Sequence, residues 1–287
     1  MSRGWAGRRL AWYLAGYVVL VALVAGQFIA AGDFSFGRRP WENLTKTAVE
    51  LSRPSFLNLW FGNERLEYRS DDGRVLRVEN QRETEARFLV ALARAIWTTF
   101  AIATLGSLVA ALLAAPFGVV AAKNMALPPW VARPARFALD LARSIHTLVF
   151  GLLLVGIVGL GPMAGVLAIA AHSFGTYGKL YAESIETADA QLIQSGVALG
   201  LSPLQTLVFG LGRTLLPQWI AVHLYVWEYN VRDSTVLGLI GAGGLGLLLS
   251  EAISLFQWGR LATLLIAIVA LVMVFDAVSR KLRHDLM

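Results

Sequence analysis

Six apolar runs, each about 20 residues long, dominate this 287-residue chain and restrict what it can fold into. An α-helix needs about 20 apolar residues to cross the hydrocarbon core of a bilayer, and a spanning helix satisfies all of its backbone hydrogen bonds internally. Only 15% of the residues are charged, whereas soluble domains carry about a quarter. The sequence therefore predicts an all-α integral membrane protein, a single domain over 1–287, with six transmembrane helices near 10–31, 91–115, 138–158, 163–181, 216–239 and 261–278.

The basic residues between these runs predict an orientation. They precede the first helix, follow the second and follow the sixth, and these three places must share one side in a six-helix chain: Arg3, Arg8 and Arg9; Lys123, Arg133, Arg136 and Arg143; Arg280, Lys281 and Arg283. The positive-inside rule puts them in the cytoplasm. We therefore expect a bacterial inner-membrane protein with both termini cytoplasmic. The net charge of +6 then follows membrane sidedness and does not indicate nucleic-acid binding.

A polar segment over 33–87 separates the first two helices and lies outside the cytoplasm on this topology. Apolar and polar residues alternate over 66–70 and 74–79, on both sides of Asp71-Asp72-Gly73. Alternation around an Asp-Gly turn signal is typical of a β-hairpin. We therefore predict a small extracytoplasmic insertion that contains a β-hairpin. It could contact an extracytoplasmic partner or be an ordered insertion without one.

The segment over 181–217 carries polar and small residues at helical spacing between two apolar runs and falls in the cytoplasm on the same topology. Its pattern predicts a short helix, a turn at Gly200 and a second helix that begins at Ser202. Ser202 with Gln205 has the spacing of a capping box, and Pro203 suits the first helical position. We expect Leu216-Pro217 to end this unit and to open the next membrane helix.

A second group of polar and small residues follows within the fifth apolar run: Glu228, Asn230, Arg232, Ser234, Gly241, Gly243 and Gly244. Charged side chains at membrane depth are costly and usually face a bundle interior or an aqueous path. Glu228 and Arg232 are four residues apart and can pair on one helix face. These residues could line or gate a path, or they could hold helices together. The glycines allow close backbone approach or break the helix before a re-entrant piece.

Several classes of site are absent from the sequence. There is no cysteine, the four histidines have no metal-binding spacing, and no P-loop or nucleophile-elbow motif occurs. We therefore expect no metal, no bound cofactor and no ATPase site in this chain.

The 181–217 segment resembles the EAA loop of permease subunits in binding-protein-dependent ABC importers. Gln194-Ser195-Gly196 stands at the Glu-Ala-Ala positions, Gly200 matches the family glycine and Leu216-Pro217 matches the end of the motif. An amide thus replaces the acidic residue of the family. The resemblance implies a six-helix permease of the type I kind whose 181–217 loop docks a cytosolic ATPase.

Motifs from about residue 91 onward are similar to those of the phosphonate permease family, whose members import phosphonates, phosphite or hypophosphite. The motifs are Arg143-Ser144-Ile145-His146, Gly159-Leu160-Gly161-Pro162, Gly178–Glu183, Glu228–Arg232, Thr235–Gly238 and Gly241–Gly244. His146 departs from the proline expected at its position, which leaves the phosphorus ligand open.

The resemblance also implies partners. These are cytosolic ABC ATPase subunits that carry ATP and Mg²⁺, a second permease copy or a paralogue, a periplasmic substrate-binding protein and the lipid membrane. Three alternatives stay open: a permease for methionine or another small solute, a membrane enzyme that uses Glu228, His223 and Arg232 as acid and base groups, and a secondary transporter.

Overall fold

The structure is a computed structural model, and it describes residues 3–32, 39–69, 75–125, 127–202 and 205–286. The chain forms two compact units, Met1–Val49 and Glu50–Met287. The first unit holds α1 (Arg3–Ala31) and most of α2 (Pro40–Leu51). The apolar window of α1 has no buried residue, which suits a helix surrounded by lipid.

The second unit is helical apart from one pair of strands. In chain order it contains a 3₁₀ turn Ser55–Leu57, α3 (Asn58–Phe61), β1 (Leu66–Arg69), β2 (Val75–Glu79), α4 (Gln81–Ala121), a 3₁₀ turn Lys123–Met125, α5 (Pro129–Ser144), α6 (Thr147–Val158), α7 (Pro162–Glu186), α8 (Ala190–Ala198), a π-helical turn Thr206–Leu211, α9 (Gly212–Leu237), a 3₁₀ turn Gly238–Ile240, α10 (Gly244–Ser254) and α11 (Trp258–Leu286).

The strand pair lies in the insertion between α2 and α4. β1 and β2 pair antiparallel, with Leu66 opposite Glu79 and Tyr68 opposite Arg77. The predicted turn at Asp71-Asp72-Gly73 lies outside the described residues, as does the start of the insertion at 33–38. Residues 81–87 of the predicted insertion form the first turns of α4.

Helix α4 is much longer than the run predicted at 91–115. It has 41 residues and therefore a length of about 60 Å, roughly twice the thickness of the hydrocarbon core. Its start is fixed by Asn80, whose side-chain oxygen accepts hydrogen bonds from the backbone N–H groups of Arg82 and Glu83. The hydrophobic pattern also allows the helix to continue to residue 122, but it did not predict residues 81–90, because the polar first turns carry no apolar signal.

A buried polar contact attaches the segment before α3 to this helix. The Ser55 hydroxyl donates a hydrogen bond of 2.7 Å to the carboxylate of Glu85 on α4 and lies 3.0 Å from the hydroxyl of Thr263 on α11. All three side chains are buried. Since an unpaired buried carboxylate is costly, this contact fixes the end of the insertion against two helices.

The third membrane helix predicted at 138–158 is wrong as a single continuous helix. The chain bends by 90° between α5 and α6. Ile145 and His146 are extended there, and the His146 side chain caps α6 by accepting from the Leu148 N–H. Histidine is not among the usual capping residues, so the break carried no clear sequence signal. At 12 residues, or about 18 Å, α6 alone is too short to cross a bilayer.

Helix α7 is the centre of the second unit and packs against α4, α5, α6 and α9. Close approach depends on small residues. A Cβ on Gly106 of α4 would lie 2.7 Å from Ile169 of α7, and one on Gly118 would lie 2.9 Å from the carbonyl oxygen of Gly178. Small residues at helix crossings are the usual means of packing helices in lipid.

The six predicted spans are not confirmed as a set. By length and composition, three helical stretches in the described ranges could cross a membrane: Leu10–Ala31, Gln81–Ala121 and Trp258–His284. Two bent pairs raise the number to five, namely α5 with α6, and Thr206–Ile240 with α10. The predicted fourth span lies within α7, whose 25 residues include His172, Thr176 and Lys179.

Candidate functional site

The loop between α7 and α9 is built from local capping interactions. Asp189 caps α8 by accepting from the Gln191 N–H at 2.8 Å. Gly200 ends α8 with φ +68°, and the Leu201 N–H donates to the Gly196 carbonyl at 3.0 Å. This 6→1 bond with a left-handed glycine is a Schellman motif. The turn predicted at Gly200 therefore has a defined geometry.

The predicted capping box is also present in this loop. The Ser202 N–H donates to the Gln205 side-chain oxygen at 2.9 Å, and the Gln205 N–H donates to the Ser202 hydroxyl at 3.3 Å. Pro203 lies outside the described residues. The segment that follows is a π-helical turn that continues directly into α9 at Gly212.

Leu216-Pro217 does not begin the fifth helix, which differs from our prediction. α9 starts at Gly212 and runs through Pro217, which occupies its second turn. The preceding π-helical turn and α9 form one continuous helical path, so the proline does not mark a boundary. Leu207, Leu211 and Leu215 are buried along this path in a core cluster with residues of α4, α5 and α7.

The outer surface of the loop presents apolar side chains. Leu199 is 77% exposed and Phe209 is 79% exposed, while Gln194 and Ser195 on α8 are also exposed. Gly196 is buried, because a Cβ there would lie 2.6 Å from Thr206 of the π-helical turn. Gly196 thus allows α8 to pack closely against the π-helical turn, while Leu199 and Phe209 present apolar side chains outward.

The charged residues of α9 form an ion-pair network with α11. Arg232 donates to Glu228 at 2.6 Å and to Asp276 at 3.2 Å, and Arg283 donates to the second oxygen of Glu228 at 3.3 Å. The Glu228 side chain is only 13% exposed. The predicted i,i+4 ion pair between Glu228 and Arg232 is therefore present. Each of these two residues also pairs with a residue of α11, so the network joins two helices.

Arg232 also belongs to an exposed stripe on α9. Tyr225, Tyr229, Arg232 and Val236 follow one another at spacings of four, three and four, so they share one helix face, and all four are exposed. A polar face at membrane depth is unfavourable against lipid. This stripe is therefore the part of α9 best suited to face water or a second subunit.

Asn230 lies on the opposite side of α9 and is completely buried. Its side-chain oxygen accepts from Ser173 of α7 at 3.0 Å, and its side-chain nitrogen donates to Ser107 of α4 at 2.8 Å. Asn230 thus joins three helices inside one subunit. Contrary to our expectation for a residue that lines a path, it has no surface available to a solute in this structure.

We predict that Asn230→Ala destabilises the protein by about 2–3 kcal/mol, because it removes one hydrogen-bond partner from each of two buried hydroxyls, those of Ser173 and Ser107. The measurement is the midpoint of thermal unfolding of the detergent-solubilised protein. Val236→Ala, which truncates an exposed side chain on the same helix, is the control and should leave the midpoint nearly unchanged. Equal midpoints for the two variants would contradict a helix-joining role.

Ser234 and the glycines also have packing roles. The Ser234 hydroxyl is buried and donates to the carbonyls of Val231 and Thr99. Gly241, Gly243 and Gly244 all have positive φ and break the chain between α9 and α10. A Cβ on Gly244 would lie 2.4 Å from the Thr99 hydroxyl, which itself accepts from the Leu245 N–H. Both alternatives for the glycine stretch are thus present. The backbones approach closely, and the helical path bends by 46° between Thr206–Ile240 and α10.

The residues proposed for the enzyme alternative do not converge. His223 lies against Tyr177 of α7, whose hydroxyl is 3.1 Å from the His223 Nδ1 atom. Glu228 faces Arg283 of α11. These contacts direct the two side chains toward different helices.

Sequence reasoning missed a cavity between α7 and α9, lined by His172, Ser173, Thr176, Tyr225, Val226 and Tyr229. It lies near the middle of both helices. The spacing of polar residues on α7 and of tyrosines on α9 is a possible sequence signal for this cavity. That signal does not show that the two helix faces lie opposite each other, because this depends on how the helices pack.

Comparison with known proteins places this geometry in context. Residues 114–285 match the family model described as "Binding-protein-dependent transport system inner membrane component". The chain is 38% identical over 190 residues to the phosphite transport system permease protein PtxC of Stutzerimonas stutzeri, covering 66% of this chain and 69% of that protein. It is 32% identical over 189 residues to the phosphate-import permease protein PhnE of Mycolicibacterium smegmatis, covering 66% of this chain and 36% of that protein.

A solved structure has a similar fold. It is an inward-facing conformation of the MetNI methionine ABC transporter, which has a TM-score of 0.61 and 18% identity over 70% of this chain and 98% of that one. The crystal structure of an amino acid ABC transporter gives a TM-score of 0.59 at 14% identity. At this identity the likeness concerns the fold alone.

Proposed function

The chain belongs to the family of binding-protein-dependent transport system inner membrane components, and from this membership we propose that it forms the translocation path for a small phosphorus oxyanion. It is a permease subunit of an ABC importer, and its relatives confirm the resemblance to phosphonate and phosphite permeases. The observation that carries the proposed substrate is the similarity to a phosphite permease over two thirds of each chain. The ligand is a phosphonate, phosphite or hypophosphite.

On this proposal, the single domain 1–287 functions together with separate partner proteins. ATP and Mg²⁺ are bound by cytosolic ATPase subunits, and the solute is delivered by a periplasmic binding protein. A second permease copy or a paralogue completes the path. Both termini face the cytoplasm, because the basic residues at each end and after α4 then obey the positive-inside rule. The insertion 33–87 then lies on the side from which the binding protein approaches.

The 181–217 loop is the proposed ATPase dock. Its support is the exposed apolar surface around Leu199 and Phe209, since exposed apolar patches in contact with water commonly mark protein interfaces. Gln194, Ser195, Gly196 and Gly200 shape α8 and its end. Leu216 and Pro217 belong to α9, so movement of the dock is transmitted directly into that helix.

The proposed path runs along the exposed face of α9, where Arg232 is the charged member and the largely buried Glu228 is its ion-pair partner. An anion would meet Arg232 with its charge partly neutralised by Glu228 and Asp276, which favours passage over tight binding. Asn230, Ser234 and the three glycines support this face from inside the subunit.

A transport assay tests the proposal. The chain is coexpressed with its ATPase and binding-protein partners, reconstituted into liposomes and supplied with ATP. We expect uptake of phosphite or methylphosphonate that depends on ATP and on the binding protein. Uptake of methionine in place of either phosphorus compound would instead favour a permease for methionine or another small solute. The MetNI methionine transporter is similar to this chain in fold alone.

A further inference from the structure

Helix α2 carries an apolar face that is exposed over most of its length. Four side chains follow one another at spacings of three, four and three and therefore share one side of the helix: Trp41, Leu44, Ala48 and Leu51. Trp41 is 77% exposed, Leu44 is 59% exposed, and Ala48 is exposed as well. Lys46 lies on the opposite side. An exposed apolar face of this kind indicates contact with a partner or with a membrane.

The end of α2 is anchored where the apolar parts of two long helices begin. Leu51 packs against a core cluster that includes Leu92 of α4 and Leu261 of α11. These two residues lie at the start of the apolar runs at 91–115 and 261–278. Ser55, which follows shortly after Leu51, adds its buried hydrogen bonds to the same two helices. The last residue of the apolar face therefore lies at the edge of the membrane-spanning part of the bundle.

The start of α2 is tethered to the membrane through α1. The apolar span Leu10–Ala31 ends shortly before Pro40, where α2 begins. The chain between them covers at most about 30 Å when fully extended, and α2 itself is about 18 Å long. On the proposed topology, the end of α1 and the starts of α4 and α11 lie on the same, extracytoplasmic side. Both ends of α2 are thus connected to this surface, and the helix can lie flat along it.

We propose that α2 lies flat on the extracytoplasmic membrane surface with Trp41, Leu44 and Ala48 inserted between the lipids, an inference that uses the topology of the proposed function. The apolar face of such a helix enters about 5–10 Å into the boundary between headgroups and acyl chains. Tryptophan is enriched at this boundary, because its ring is apolar and its N–H is polar. Two more exposed aromatic side chains, Trp60 and Phe61 of α3, follow the anchored segment and suit the same interface.

The charges of α2 indicate attachment through apolar burial. Its polar side carries Glu42, Lys46 and Glu50, and Arg39 just before the helix pairs with Glu42 at 3.3 Å. Two positive and two negative side chains give no net charge. Interfacial helices that bind anionic lipids instead carry an excess of Lys and Arg. The partner is therefore the bilayer interface itself, with no requirement for an anionic headgroup.

Single labels on the two sides of α2 test this placement. The chain has no cysteine, so each substitution introduces the only thiol of this subunit. Leu44→Cys and Ala48→Cys put a nitroxide spin label on the apolar side, and Lys46→Cys puts it on the opposite side as the matched control. The complex is assembled with cysteine-free ATPase subunits and reconstituted into phosphatidylcholine vesicles without its binding protein. Power-saturation EPR then measures collisions of the label with O₂, which concentrates in lipid, and with a water-soluble nickel chelate.

We expect the labels at positions 44 and 48 to lie about 5–10 Å inside the headgroup boundary, with O₂ collisions exceeding nickel collisions. The order should reverse at position 46. Phosphatidylglycerol added to the vesicles should not shift these depths, because the helix and the preceding arginine have no net charge. All three substitutions are at exposed positions, so the thermal unfolding midpoint of the complex should match wild type.

Three results with the spin labels would overturn the lipid contact. Equal nickel collisions at positions 44 and 46 would show that the apolar side faces water. Nickel access at position 44 that is lost only after addition of the binding protein would identify a protein dock in place of the lipid. Insertion only in vesicles with phosphatidylglycerol would show that charge, and not apolar burial, holds the helix.

A maleimide that cannot membranes penetrate tests the side of the membrane. We expect it to react with Lys46→Cys in intact spheroplasts. Reaction only after permeabilisation would place α2 in the cytoplasm and overturn the proposed topology together with this placement. The phosphite uptake assay does not depend on the position of α2, so a failure of that assay would concern the proposed substrate alone.

Discussion

Replacing Gly200 with proline is expected to abolish copurification of the ATPase subunits while the membrane helices still insert. Gly200 has φ +68°, and proline is restricted to a φ near −65°. The end of α8 and its bond from Leu201 to Gly196 would then be lost. Leu199 and Phe209, the exposed apolar residues on the two halves of the loop, would no longer keep their relative positions.

Gly200→Asn is the matched control, because asparagine tolerates the left-handed conformation and nothing lies within 4 Å of a Cβ at this position. Affinity purification on a tag carried by this chain, followed by quantification of the bound ATPase, measures the effect. Full ATPase recovery with Gly200→Pro would show that the loop is not the dock. A comparable loss with Gly200→Asn would show that the backbone geometry is not the cause.

The second large effect is expected for Glu228→Ala. Glu228 neutralises both Arg232 and Arg283, and its removal leaves two cations with Asp276 as the remaining carboxylate of the network. Losing the shared partner of two charges should destabilise the contact between α9 and α11 by up to about 3 kcal/mol, less than for a fully buried pair because Arg232 is half exposed. We also expect altered basal ATPase activity, since α9 continues directly from the proposed docking loop.

Arg232→Ala should act differently from Glu228→Ala, because Glu228 retains its ion pair with Arg283. We expect lower transport per complex and unchanged affinity of the binding protein for its ligand. Glu251→Ala, at an exposed glutamate on α10, serves as the control for loss of a carboxylate. If Glu228→Ala and Arg232→Ala lower only the yield and the unfolding temperature, with wild-type transport per folded complex, the network is a helix contact and not part of the path.

The loop between α7 and α9 was the most predictable part of the molecule. Its signals are local: a glycine where φ must be positive, and Ser202 with Gln205 at capping distance. Such interactions depend on residues close in sequence, so the pattern contains most of the information. The cap at Asp189 was missed even so, because a single aspartate in a polar segment is weak evidence of a helix start.

The bend at Ile145-His146 and the position of Asn230 could not be predicted for a different reason. The bend depends on His172, which lies 27 residues away on another helix. Asn230 and Arg232 are two residues apart on one helix, yet one is buried and the other exposed. Hydropathy alone does not say which face of a helix its neighbours cover, so only packing separates the residue that joins helices from the one that faces outward.

The length of α4 has a mechanical consequence. Its polar end contacts the segment around Ser55, and its other end reaches Ala121, next to Lys123, whose backbone N–H donates to Glu186 at the end of α7. Over a rod of about 60 Å, a tilt of about 10° displaces one end relative to the other by roughly 10 Å. A small rotation at one end of α4 thus becomes a large displacement at the other end, and on the proposed topology these ends lie on opposite sides of the bilayer.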